Sequence, residues 1–286
     1  MDKKEKPFDI PAFLDYIRIE GTKDKQLHVA EYDTNSTLLL ESTPIGIDFY
    51  LLAIKTNPDI QPPEGMSDAY AYFDSPDKIL KWNYSSALAG YNILISSELL
   101  GKQAKAYNFM HYNNHEALYL MPDEKDTLLD LFRKAHTEYQ KEAFSKDIIV
   151  SYAALILSYV QVFYNRQFES RRSIYNKVVT DFYEQLDTYF SIANERLLVL
   201  PSVTYFAEKA NLTANYFGDV IKHFTGNSPQ DHIQEYIIRL AKNRLRETNL
   251  TVSEIAYSLG FEYPTYFTRF FRKETGVTPT VFRNQL

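Results

Sequence analysis

Between Ser202 and Gly276 the apolar positions follow one pattern written twice. In the second copy Val252, Ile255, Ala256 and Leu259 recur at helical spacing, and Gly260 interrupts them where a left-handed residue costs least. Tyr266, Phe267, Phe270 and Phe271 then resume the apolar face. The spacing predicts helix, tight turn, helix. Thr251 and Glu254 form a capping box for the first helix, Pro264 suits the first turn of the second, and Gly276 ends it. In the first copy Val203, Phe206, Ala207 and Ala210 match these positions at an offset of 49. Beyond the turn the offset is 50: Tyr216-Phe217 falls on Tyr266-Phe267, Thr225-Gly226 on Thr275-Gly276, and Ser228-Pro229 on Thr278-Pro279. Internal duplication is the simplest source of so many coincidences.

The polar positions are patterned too. Thr265, Thr268, Arg269 and Arg272 share the outward face of the second copy's second helix, and Asn215, Gly218, Asp219 and Lys222 take those places in the first. A short polar, partly basic stripe on a helix clamped to a partner helix is what reading a DNA major groove requires. Between the copies, Ser228 caps and Pro229 opens a helix through Arg246, with Ile233, Ile237, Leu240, Ala241 and Leu245 on its buried side. Its span of roughly 27 Å is comparable with the about 34 Å between major-groove faces on one side of B-DNA. Such a helix can hold both reading helices in adjacent grooves.

Upstream the pattern is β, then helical. Leu27 to Tyr32, Thr37 to Leu40, Ile45 to Ile54, Tyr70 to Phe73 and Tyr91 to Ile95 are short runs rich in β-branched or aromatic residues, with the loop Asn57 to Gly65 among them. After Pro122 helices are predicted from Asp123 to Glu142, Asp147 to Phe168 and Arg171 to Ala193. The fold class is therefore α+β: a β-rich barrel or sandwich over 1–122, a helical region over 123–193 that packs on the sheet or forms a dimer contact, a linker over 194–201, and an all-α domain over 202–286. Within the last, the two helix-turn-helix units span 202–226 and 251–276, joined by the helix 229–246.

Composition changes the picture in three places. The net charge of −6 is uneven, with +3 from Arg196 to Leu286 and −9 before it, which suits a DNA-facing segment on an acidic body. Cysteine is absent, which excludes disulfides, thiolate metal sites and a cysteine nucleophile, and fits a reducing cytoplasm. No secretory signal opens the chain, and no run suggests a membrane span. His111 and His115 beside Glu116 are the one metal candidate, set in what reads as a turn, and no catalytic constellation stands out. The expectation is of no enzyme, no metal and no cofactor. A helical protein-interaction module, or a sensor fused to an enzyme, stays open as an alternative.

The residues from Ile255-Ala256 through Leu259-Gly260-Phe261, then Tyr266 to Lys273, then Gly276-Val277-Thr278-Pro279 and Phe282-Arg283, resemble the DNA-binding domain of the AraC/XylS family of bacterial transcription regulators. The resemblance implies two helix-turn-helix units joined by a long helix, preceded by a cupin-like effector or dimerisation domain. It implies base reading by Pro264, Thr265, Thr268 and Arg269 in the second unit and by Asn215, Gly218 and Asp219 in the first. Phosphate contacts are expected from Lys222, Arg272, Lys273 and Arg283. It further implies promoter DNA and RNA polymerase as partners, an unidentified small-molecule effector, a homodimer, and activation. This chain departs from a comfortable reader at Gly218, which has no side chain, at Asp219, which repels phosphate, and at Tyr263, where a short polar cap is usual.

Overall fold

The computed structural model describes residues 6–19, 21–33, 39–56, 62–76, 78–84, 88–113, 116–192 and 199–285. The chain divides into two compact units, Met1–Ser170 and Arg171–Leu286.

The first unit is built on an antiparallel sheet of β1 (Leu27–Tyr32), β3 (Phe49–Thr56), β4 (Ala69–Asp74), β6 (Ala89–Ser96) and β7 (Leu118–Tyr119), in the order β1-β6-β3-β4-β7. Two short strands, β2 (Ile45–Gly46) and β5 (Ile79–Leu80), form a separate ladder. Strand β3 sits at the centre and is buried from Phe49 to Ile54, so it lacks the alternation of a half-solvated strand. On one face, Phe49, Leu51, Ala53 and Leu94 pack with Ile10, Phe13 and Leu14 of α1 (Ile10–Tyr16) and with Ile45 and Leu80 of the small ladder. The helices α2 (Ser97–Ala104), α3 (Pro122–Gln140) and α4 (Lys146–Ser170) complete the unit, with α3 packed on α4, β1 and β6. Among the described residues the sheet is open at β1 and β7, so the arrangement is layered rather than a closed barrel.

Four of the expected strands are present; that over 37–40 falls partly outside the described residues, and Leu39 and Leu40 lie in no strand. Helices α1 and α2 were not foreseen, because each is too short for its apolar period to stand out. Helix α4 corrects the expectation about membrane spans: an 18-residue window in it has a mean hydropathy of 1.5, enough by length and composition to cross a bilayer. Its apolarity has a local cause, since Ile149, Ala153, Ile156, Leu157 and Val160 are fully buried.

The second unit starts earlier than the sequence pattern implied. Helix α5 (Arg172–Ile192) belongs to it, because Phe182, Leu186 and Phe190 join Phe206, Phe217, Ile237, Phe267 and Phe271 in one core. The helices α6 (Val203–Lys209), α7 (Ala214–Thr225), α8 (Pro229–Glu247), α9 (Val252–Ser258), α10 (Pro264–Thr275) and α11 (Pro279–Asn284) follow. Of the expected linker, 194–198 lies outside the described residues. Val199 and Leu200 pass so close to Gly260 that a Cβ there would stand 3.0 Å from the Leu200 amide nitrogen, and Gly260 also has a φ of 90°. Two constraints thus require glycine at this turn.

Candidate nucleic-acid interface

The helices of the second unit are bounded by local chemistry, shared by the two halves at their glycine ends. The Thr213 hydroxyl accepts from the Tyr216 amide at 3.1 Å to start α7, and Gly226, at a φ of 85°, closes it. In the second half the amide and hydroxyl of Thr251 both donate to Glu254 at 2.7 Å, which holds that carboxyl below its ordinary value. Gly276, at a φ of 82°, closes α10 as Gly226 closes α7. Helix α10 starts without a side-chain cap: Tyr263 offers only its carbonyl, and Pro264 removes one amide that would need a partner. Helix α8 opens with a Ser228–Asp231 capping box and runs 19 residues, about 28 Å. The Arg244 guanidinium donates to the Ser258 hydroxyl, tying α8 to α9.

This scaffold brings Thr265, Arg269, Arg272 and Lys273 to the exposed face of α10. Thr268 is half-buried beside them, and its hydroxyl donates to the Pro264 carbonyl at 3.0 Å, so towards a ligand it offers an acceptor only. Pro264 is half-buried at the helix start. On α7, Asn215 and Lys222 are exposed, while Gly218 and Asp219 are half-buried. Open space surrounds Gly218 where a side chain would project. Lys273 also pairs with Glu274 at 3.3 Å.

Two side chains depart from expectation. Arg283 does not face outward with the other cations: its Nε donates to the Leu245 carbonyl at 3.2 Å, at the last turn of α8, and its Nη2 is buried. There it satisfies a carbonyl that the helix end leaves free and complements the helix dipole. Tyr266, assigned by spacing to the buried stripe, is 56% exposed and packs edge-on against Tyr263, itself 50% exposed. Of the metal candidate, the His111 ring lies 3.0 Å from the Ser75 hydroxyl and Glu116 accepts from the Asn113 amide at 2.7 Å. His115 lies outside the described residues.

A family model for a helix-turn-helix domain matches residues 206–285. That segment is an AraC-type helix-turn-helix domain. Relatives match about a third of the chain. The "Uncharacterized HTH-type transcriptional regulator YobQ" of Bacillus subtilis is 35% identical over 104 residues, 36% of this chain and 43% of that protein. The "HTH-type transcriptional activator RhaR" of Cronobacter sakazakii is 31% identical over 102 residues, 36% of either chain. The "Histidine kinase P4" of Formosa agariphila is 30% identical over 95 residues, 33% of this chain but 7% of its own. The chain therefore matches less than half the length of these relatives. Among solved structures, the C-terminal domain of AraT, a response regulator from Geobacillus stearothermophilus, is 25% identical with a TM-score of 0.34, covering 38% of this chain and 85% of that one.

Proposed function

We propose that this AraC-type domain binds promoter DNA and that the chain is a cytoplasmic transcription regulator, an effector-responsive activator working with RNA polymerase as a homodimer. The observation that carries the reading is the duplicated pair α7 and α10, held by one 19-residue helix and exposing Thr265, Arg269 and Arg272 on α10. In this reading α7 and α10 enter adjacent major grooves. Arg269 and Thr265, with Thr268 as acceptor, read bases, joined by an apolar contact from Pro264; Arg272, Lys273 and Lys222 meet phosphates. The first unit contributes less through side chains, because Gly218 offers none and Asp219 can accept only from a base donor such as the cytosine amino group. Asn215 is its base contact, and the rest of its reading is of shape.

The first unit, Met1–Ser170, takes the part of sensor and dimerisation domain. The outer face of α4 supports the homodimer: Ile148, Leu155, Tyr159 and Val162 are exposed large apolar residues along one side of the helix. A mobility-shift titration with the promoter DNA upstream of the chain's own gene tests the core claim. Binding should be saturable and specific, and Arg269→Ala with Arg272→Ala should weaken it strongly. Undiminished binding by that double variant overturns the assignment of α10 as the reader.

A further inference from the structure

The first unit contains a half-open cavity of about 330 Å³ between the sheet face, α1 and the small β2–β5 ladder. Most of its wall is apolar, from residues such as Phe13, Leu51, Leu80 and Leu88. Its polar groups are few and unevenly charged. Three lysines, Lys55, Lys78 and Lys81, line it against one carboxylate, Asp74. Lys78 is bonded to Asp74 and also donates to the Tyr112 carbonyl at 2.6 Å, so that pair is closed upon itself. Lys81 is exposed.

Lys55 is the group left over. It projects from the C-terminal end of β3, and its ammonium lies 4.8 Å from the Tyr72 ring centre, 5.3 Å from that of Tyr32 and 5.6 Å from that of Tyr84. The rings attract a cation but supply no opposite charge. Burial pushes this ammonium down to about 8, with Asp74 opposing the shift, which leaves it mostly protonated at neutral pH. Asn92 lines the same cavity, is 6% exposed, and its buried Oδ1 has no hydrogen-bond partner. A buried acceptor without a donor, and a half-buried cation whose neighbouring carboxylate Asp74 is already bonded to Lys78, are both costly unless something supplies what they lack.

We infer that this cavity is a binding site for a small monocarboxylate with an apolar or aromatic body and one further hydrogen-bond donor, the carboxylate meeting Lys55 and the donor meeting Asn92. Lys55 is the one ammonium of this lining that is neither bonded to a carboxylate nor exposed, so it balances one negative charge, whereas the second charge of a dianion would have only the exposed Lys81 to meet. This deepens the sensor role proposed for residues 1–170. The binding claim itself does not depend on DNA.

The experiment uses the full chain and its single tryptophan, Trp82, which lines the cavity and so reports occupancy by its fluorescence. The probes are para-hydroxyphenylacetate, its neutral amide, and ω-hydroxydecanoate. At least one acid should change Trp82 emission saturably. Where para-hydroxyphenylacetate binds, its amide should bind roughly ten- to a hundredfold more weakly, the range expected for losing one charge-assisted hydrogen bond. Lys55→Met should lose the acid by a similar factor while its circular dichroism matches the parent's. Asn92→Leu, a second variant, should lower affinity for the hydroxylated acid more than for phenylacetate. Equal binding of acid and amide, undiminished acid binding by Lys55→Met, or no saturable change with either acid overturns the inference. Because the titration contains no DNA, its failure leaves the mobility-shift result for residues 202–286 standing.

Discussion

Tyr216 of α7 and Tyr266 of α10 occupy the same position in the two copies, yet Tyr216 is 1% exposed and Tyr266 is 56% exposed. The difference is made by α5, whose Tyr175 hydroxyl is hydrogen-bonded to that of Tyr216 while its Phe182 packs on Phe217. The second copy has no such helix over it among the described residues. Tyr216→Ala should therefore cost about 3–5 kcal/mol of stability, and Tyr266→Ala less than about 0.5 kcal/mol. Tyr175→Phe should cost about 0.5–1.5 kcal/mol, the worth of the hydrogen bond it removes. Urea unfolding of the three variants measures this, and equal losses at Tyr216 and Tyr266 would contradict the asymmetric packing.

Gly218 sits inside α7 with a right-handed backbone and open space around it. Glycine there serves neither a turn nor a close approach. Gly218→Ala should raise stability by about 0.5–1 kcal/mol, through lower unfolded-chain entropy and better helix propensity. Thermal unfolding reads the gain. If α7 must bring its backbone close to DNA at this point, the same variant will bind promoter DNA more weakly although it is more stable.

The legibility of the chain followed its local chemistry. The helix-turn-helix units were readable because each boundary is written by a few neighbouring residues: Thr251 with Glu254, Gly276 after Thr275, Ser228 before Pro229. The exposure of Arg269 on α10 follows directly from that frame. What was hidden depends on distant partners. The Tyr266 side chain has the same spacing as Tyr216, and only α5 distinguishes them. Arg283 looked like one more surface cation, because its acceptor, the Leu245 carbonyl, lies 38 residues away in sequence. The same holds for the cavity, where Lys55 meets rings from β1, β4 and Tyr84 that no single stretch displays.

The two positions of arginine give a direct contrast in salt dependence. Arg272 is exposed on α10, whereas Arg283 is turned towards α8. If Arg272 neutralises a phosphate, Arg272→Ala should reduce the slope of log K against log salt by about one and leave stability nearly unchanged. Arg283→Ala should do the reverse, costing about 1–3 kcal/mol through the lost hydrogen bond to a carbonyl while the slope stays as it was. Promoter titrations at several salt concentrations, paired with urea unfolding, separate the two roles.

His28 makes the first unit sensitive to acid. Burial, and to a lesser degree the neighbouring His136, push its imidazole from 6.5 down to about 4. Its Nδ1 lies 3.2 Å from the Tyr139 hydroxyl, and its Nε2 is buried without a partner. The folded state therefore holds the neutral ring, and the unfolded chain takes up the proton first. This contribution is complete above pH 6.5 and is lost as pH falls towards 4, by up to about 3 kcal/mol. Buried Asp74, whose carboxyl is raised by burial, works in the opposite direction on acidification. The comparison is thus with His28→Gln, which should lose less stability across the same window. Trp82 fluorescence during unfolding follows this unit specifically, and parallel pH profiles for parent and variant would refute the assignment.

Helix α4 buries one apolar face and leaves a second one bare. Ile149, Ala153, Ile156 and Val160 face the unit's core, while Ile148, Leu155, Tyr159 and Val162 are 38–60% exposed. The exposed four span 15 residues, about 21 Å of helix, long enough for a helix-against-helix contact. A monomer gains nothing from such a stripe, whereas a second copy laying the same face against it would bury both at once. Leu155→Glu with Val162→Glu should shift the chain from dimer to monomer in sedimentation equilibrium at micromolar concentration. Its circular dichroism and Trp82 emission should match the parent's, because neither side chain belongs to the core. A variant that remains dimeric would place the two-fold contact on another face.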